Sequence, residues 1–172
     1  NQPYPTYDYA TFVAEVASTL NEALFLDYLM QKVKTSEERI AMLQRAIEGI
    51  EQTFYLQTMF ADFEWQAHKL VEAGEPVTAD ALRAICGGLT RDYYGDAIEM
   101  DPILESYWTR IGHFFSTPYY VYKYATSFAA SAQIVQGIQS KKSADRKKAL
   151  DNYLGMLKSG GSEYPMEQLR KC

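Results

Sequence analysis

The stretch Asp8 to Met30, DYATFVAEVASTLNEALFLDYLM, constrains this chain more than any other, because it runs on without an internal Gly or Pro. An apolar run with no helix breaker reads as one helix, with expected bounds of Asp8 to about Val33. At about 100° per residue, Phe12, Val13, Val16, Ala17, Leu20, Ala23, Leu24 and Met30 cover most of the circumference. Glu15, Ser18, Thr19 and Glu22 fall on the remaining strip. A helix that is apolar nearly all round is expected to be buried. Glu15 and Glu22 are two turns apart, so they point the same way, roughly 10 Å apart along the axis. A carboxylate in such a helix is costly unless it is paired, protonated or coordinated. Two readings of Glu15 stay open on periodicity alone: a structural carboxylate met by an Arg or by tyrosine hydroxyls, or a metal ligand.

The rest of the chain reads as further helices. Pro3 and Pro5 keep the opening residues extended. Thr35 followed by Glu38 is a capping-box signature, and a second helix is expected from Ser36 to about Ala73, with Ile40, Leu43, Ile47, Ile50, Phe54 and Met59 at helical spacing. At ~1.5 Å per residue that helix is roughly 50 Å long or more, a length suited to crossing a larger enzyme. Gly74 and Pro76 stop it. Thr78 caps a third helix, Ala79 to about Tyr94, which contains Gly87-Gly88 and ends at Gly95; the glycine pair suggests close helix packing. Pro102 begins a short helix, and the aromatic segment Tyr107 to Ser116 is expected to be extended or a loop. Thr117-Pro118 opens a fourth helix, Tyr119 to about Gln139. Ser143 caps a fifth, to about Lys158, and Pro165 starts a last short one after the turn Ser159-Gly160-Gly161-Ser162. Nothing alternates convincingly at period two, so the expected class is all-α, a multi-helix portion with a long central helix and no substantial sheet.

Size and charge exclude several functions. A chain of 172 residues favours one domain, and a net charge of -5 argues against tracking a nucleic-acid backbone. No apolar run is long enough to span a membrane, and the opening residues have neither the basic nor the apolar region of a signal peptide. Cys86 and Cys172 make neither a disulfide framework nor a cysteine zinc site, so a reducing cytoplasm is the expected compartment. Asn1 has no initiator Met before it, and Cys172 follows the helical pattern EQLRK without a cap, so the chain is expected to be a piece of a longer protein. Fourteen tyrosines bring apolar area together with hydroxyls that need partners.

Among residues able to do chemistry, His68 and His113 are the two histidines. His68 lies late in the second helix and reads as structural or solvent-facing, whereas His113 sits in an irregular aromatic segment of the kind that carries function on a rigid scaffold. Tyr119 and Tyr122, three apart at the expected start of the fourth helix, read either as packing or as two phenolic donors aimed at a developing oxyanion. Glu15, His113 and the tyrosines cannot by themselves hold a catalytic zinc, which takes three protein ligands, and no H-E-x-x-H occurs in the sequence.

Taken together these segments become specific. Phe12-Val13-Ala14-Glu15-Val16-Ala17-Ser18-Thr19 followed by Asn21-Glu22 resembles the helix of oligoendopeptidase F and its thimet-oligopeptidase relatives. His113-Phe114-Phe115, then Pro118-Tyr119-Tyr120-Val121-Tyr122-Lys123-Tyr124-Ala125-Thr126, is similar to the substrate-binding signature of the same branch, and Ser159 to Pro165 to its closing turn. The resemblance implies a zinc metalloendopeptidase acting on short peptides through a deep channel. It implies one Zn2+ with Glu15 as third ligand, Tyr122 donating to the oxyanion, and His113 and Tyr119 supporting the oxyanion or the substrate backbone. It implies that residues 1–172 are the C-terminal portion of a helical catalytic domain, partnered by the missing N-terminal part of the same protein. Two departures are visible: the family's H-E-x-x-H is absent, and Ser116-Thr117-Pro118 replaces the Gly-rich loop of the thimet branch. The chain alone is therefore expected neither to bind zinc tightly nor to cleave peptides. The alternatives are a non-catalytic helical peptide-binding module and a structural domain whose Glu15 pairs with an Arg.

Overall fold

A computed structural model describes residues 2–172 as helices and connecting turns, with no strand among the described residues. The chain divides into two compact units, one formed by Asn1–Phe54 with Lys123–Cys172 and the other by Tyr55–Tyr122.

In the first unit, α1 spans Thr11–Met30, shorter than expected at both ends. Its buried residues, Val13, Val16, Thr19 and Leu20, lie in its N-terminal half. Phe25 and Tyr28 are more than half exposed, so the expectation of a helix buried all round is corrected: α1 buries one face. That face meets Ile134 and Val135 of α6 (Tyr122–Ile138) and Tyr153 of α7 (Ser143–Ser159) in one hydrophobic core. The contact is lined by small hydroxyl residues. Thr19 Oγ1 lies 3.0 Å from Ser131 Oγ, and Ser127 Oγ donates to the Phe12 carbonyl at 3.3 Å. Side chains this small let two helices approach while satisfying each other's polar groups.

α2, Ser36–Ile50, starts at the expected capping box: Thr35 Oγ1 accepts the Glu38 N–H at 3.1 Å, and Glu38 Oε2 accepts the Thr35 N–H at 3.2 Å. The backbone N–H groups of Lys34, at 2.8 Å, and of Thr35 both donate to Glu38 Oε2 and hold that carboxyl below its usual range. The helical run does not break at Ile50. It passes through a π-helical stretch, Glu51–Tyr55, into α3, Leu56–Glu72, so the expected uniform helix is continuous but locally widened. Gly74 ends the run at φ 74°, with its N–H on the Val71 carbonyl and the Glu75 N–H on the Leu70 carbonyl, the bond pair of a Schellman cap. The N-cap expected of Ser143 is corrected: Lys142 occupies that position, without a side-chain cap bond, and Ser143 is already helical. α8 is Pro165–Arg170, opening on its proline.

In the second unit, α4 spans Ala79–Tyr94, as its signals predict, with Thr78 Oγ1 accepting the Ala81 N–H at 3.1 Å. A 3₁₀ helix, Pro102–Arg110, and the single-turn α5, His113–Ser116, replace the expected extended or looped segment. Asp101 initiates the 3₁₀ helix by accepting the Ile103 N–H at 2.9 Å. Rings then drive the packing. Phe60 stacks on Tyr107 at 5.9 Å, Phe63 on Trp108 at 6.1 Å, and Phe114 closes on Phe63 at 5.0 Å. Close packing holds at Gly87, where an added Cβ would sit 2.9 Å from Glu105 Cγ, and not at Gly88, which faces open space. Glu105 lies over that bare backbone between Arg83 and Arg91, 3.7 Å from each guanidinium.

Candidate functional site

The sequence-predicted residues fall in both units, and each group is built by its own surroundings. In the first unit, Glu15 is half-buried on α1. Ser18 Oγ, one turn on, donates to Glu15 Oε2 at 2.8 Å. The Glu15 carbonyl accepts from Thr19 Oγ1 at 2.8 Å, the same hydroxyl that meets Ser131. The buried Thr19–Ser131 contact therefore fixes the rotation of α1, and the side chain four positions earlier inherits it. Glu22 is exposed and lines a cleft of about 670 Å³ with Leu26, Met42, Arg45 and Phe128.

A carboxylate of this kind fits a zinc site as one oxygen ligand and no more. Among the described residues no group of three or more His, Cys, Asp or Glu is placed to hold a metal ion. A catalytic zinc takes three protein ligands, and Glu15 alone falls short of that number.

In the second unit, His113 opens α5. Its Nδ1 lies 2.9 Å from Thr117 Oγ1, and its ring stacks on Tyr120 at 4.5 Å with 11° between planes. The hydroxyl and the ring together leave the imidazole little rotational freedom. Tyr119 is not helical. The expectation that Tyr119 and Tyr122 share a helix face is corrected: α6 begins at Tyr122, and Tyr119 sits in the preceding turn at φ 59°. A backbone in the left-handed region cannot continue a right-handed helix, which is why the helix starts later than Tyr119. Half of the Tyr119 surface is exposed, and Tyr122 is exposed on the first turn of α6. A phenol that keeps its hydroxyl accessible on a fixed backbone can donate to an oxygen that gains charge during a reaction.

One residue of this group was not legible in the sequence. Glu64 on α3 is 5% exposed, and its Oε1 accepts the Tyr119 N–H at 2.7 Å. His68, one turn further on, stacks on the Tyr119 ring at 4.6 Å and 25°. His68 is thus half-buried against a ring rather than solvent-facing. The available signal was the register of α3: Glu64 follows Phe60 by one turn and adjoins Phe63, so a carboxylate occupies the buried stripe.

The sequence profile described as Peptidase family M3 matches residues 1–172. Oligopeptidase PepF of Bacillus subtilis is 40% identical over the whole chain, which corresponds to 25% of that protein. An oligoendopeptidase F homolog of Borreliella burgdorferi is 39% identical over 98% of the chain and 28% of its own length. The chain thus spans about a quarter of the curated relatives it matches. Two solved structures are similar. A putative peptidase from Chlamydophila abortus has a TM-score of 0.82 at 38% identity, covering 99% of this chain and 28% of that one. The oligoendopeptidase-F from Enterococcus faecium has a TM-score of 0.77 at 38% identity, covering 93% and 30%.

Proposed function

Since the chain belongs to Peptidase family M3, we propose that the protein of which it forms a part is a cytoplasmic zinc metalloendopeptidase that hydrolyses short oligopeptides. The observation that carries this reading is the family match over the whole chain, joined to relatives named as oligopeptidases and oligoendopeptidases. In this reading Glu15 supplies one zinc ligand, and two His from an H-E-x-x-H outside this sequence supply the others. The bound zinc would lower the pKa of a water and polarise the peptide carbonyl.

The chain's own residues take three roles. The Thr19–Ser131 contact and the Ser18 hydroxyl orient the Glu15 carboxylate. Tyr122 donates a hydrogen bond from its phenol to the oxygen of the tetrahedral intermediate. His113 and Tyr119 hold the substrate backbone or the same oxygen, with Thr117 and Tyr120 keeping His113 in place. No helix among the described residues is long and apolar enough to cross a membrane.

The test is made on the full-length protein with a short internally quenched peptide. Glu15→Gln keeps the shape and removes the negative charge, so both zinc content and cleavage should fall steeply. Tyr122→Phe should lower kcat by about 10²- to 10³-fold, the usual effect of deleting one oxyanion donor, while zinc content stays whole. Undiminished zinc and cleavage in Glu15→Gln would remove the ligand assignment.

A further inference from the structure

Tyr119 is held in a conformation its own residue type disfavours. At φ 59° its backbone lies in the left-handed region, and it is the one non-glycine residue there among the described residues. A bulky side chain stays in that region only when its surroundings over-determine it. Two groups on α3 do so. Glu64 and His68 are four apart and share a helix face. Glu64 binds the backbone, with its carboxylate on the Tyr119 N–H at 2.7 Å, and His68 binds the side chain, with its ring flat on the phenol. A carboxylate that is 5% exposed is expensive to bury, so its contact with a single distant amide calls for a role beyond filling space. Hydrogen bonds to an ionised acceptor are roughly twice as strong as neutral ones, which suits a bond that must hold a strained turn.

We propose that Glu64 is a positioning residue. It locks the Thr117–Tyr120 turn through the Tyr119 amide and, with His68, fixes where the Tyr119 phenol meets the peptide. The proposal rests on the peptidase reading of Tyr119 given above and adds the device that aims it. Glu64 itself touches no substrate. The turn has no glycine to adopt positive φ unaided, so the geometry of Tyr119 depends on an acceptor supplied from α3.

Two readouts on the full-length protein separate the lock from the function. The first is hydrogen exchange by mass spectrometry over residues 117–121. Glu64→Ala should speed exchange there by at least about tenfold, because local opening no longer breaks a charge-assisted bond. Glu64→Gln keeps an acceptor oxygen and should restore most of the protection. The second is peptide cleavage. Glu64→Ala should lower kcat/KM by roughly 10- to 100-fold, the scale of a misplaced contact, with the same division between kcat and KM as Tyr119→Phe. The double variant should be no worse than the poorer single. Unchanged exchange in Glu64→Ala, or losses that multiply in the double variant, would overturn the proposal. Faster exchange together with full activity of Tyr119→Phe would instead remove Tyr119 from the peptide site and leave the Glu64 lock standing.

Discussion

The turn Ser159-Gly160-Gly161-Ser162 gives the sharpest stability test, because what surrounds Gly161 is backbone and cannot step aside. The Gly161 N–H donates to the Thr6 carbonyl at 2.8 Å, and a Cβ added at Gly161 would lie 2.1 Å from the Asp8 carbonyl oxygen. The neighbouring Gly160 blocks retreat. It sits at φ 53°, and its own Cβ direction points at the Thr6 carbonyl oxygen, 2.5 Å away. The turn is also pinned from behind, since Gln168 Nε2 donates to the Gly160 carbonyl at 2.6 Å. Relieving a contact 2.1 Å long means moving one chain segment by roughly an ångström. Overpacking of this kind costs ~1–3 kcal/mol, and the hydrogen bond to Thr6 is lost with it, about 0.5–1.5 kcal/mol. The lower chain entropy of unfolded Ala returns ~0.4–1 kcal/mol. Gly161→Ala should therefore destabilise by about 0.5–4 kcal/mol, centred near 2 kcal/mol, a fall of roughly 1 M in the urea midpoint at an m-value of about 2 kcal/mol/M. Gly155→Ala is the control. Gly155 is an exposed interior position of α7 with nothing within 4 Å of its Cβ direction, and the substitution should stabilise by ~0.5–1 kcal/mol. Both are read by far-UV circular dichroism in urea. Equal midpoints for the two variants would refute the reasoning. So would a Gly161→Ala penalty that survives deletion of residues 1–9, because the obstructing carbonyls would then be gone.

Two further outcomes follow from the local chemistry. Thr35→Ala removes the hydroxyl that accepts the Glu38 N–H and should lower stability by ~1 kcal/mol, whereas Thr35→Ser should keep most of it, read as urea midpoints side by side. At alkaline pH, burial holds the Cys86 thiol and the Tyr93 and Tyr153 phenols above their ordinary values of 9.0 and 10.0. The unfolded chain then releases these protons first and binds fewer than the folded one, so stability is whole below about pH 9 and declines as pH rises through that range. Cys86→Ala should make the decline shallower between about pH 8 and 10; a midpoint that rises with pH would contradict this.

Where bonds are local, the helical architecture was readable from sequence. Thr35 with Glu38, Thr78, Gly74 and Pro165 each act within a few residues of the boundary they mark, and each boundary falls where its signal stands. Ser143 stands one residue inside the boundary it was expected to cap, but at two other places the structure is set by partners distant in sequence. Pro102 marks the start of a short helix, but the segment Tyr107 to Ser116 has an irregular pattern because its rings pack against Phe60 and Phe63, not along a face of its own, and so its helical turns leave no periodic signal. The start of α6 was misplaced because Tyr119 is governed by Glu64, which lies on another helix. Of the candidate site, Glu15, His113, Tyr119 and Tyr122 could be named from their spacing and from the resemblance they carry. Glu64 could not, since a lone Glu among helical residues looks like any solvated one until its register against the apolar stripe is known.

The bare patch of α4 at Gly87 works as a keyway. Arg83, Gly87 and Arg91 lie one turn apart along one side of the helix, so the missing side chain is a notch between two cations, and Glu105 is the tooth that enters it. A 3₁₀ helix has weak hydrogen-bond geometry of its own, and it takes its azimuth from whatever it docks on. Setting that one tooth therefore sets the heading of Tyr107 and Trp108 two and three residues later, and through Phe63 it reaches Phe114, the residue beside His113. A half-buried imidazole, held by Thr117 and Tyr120, thus stands on a segment whose placement begins at a glycine on a different helix.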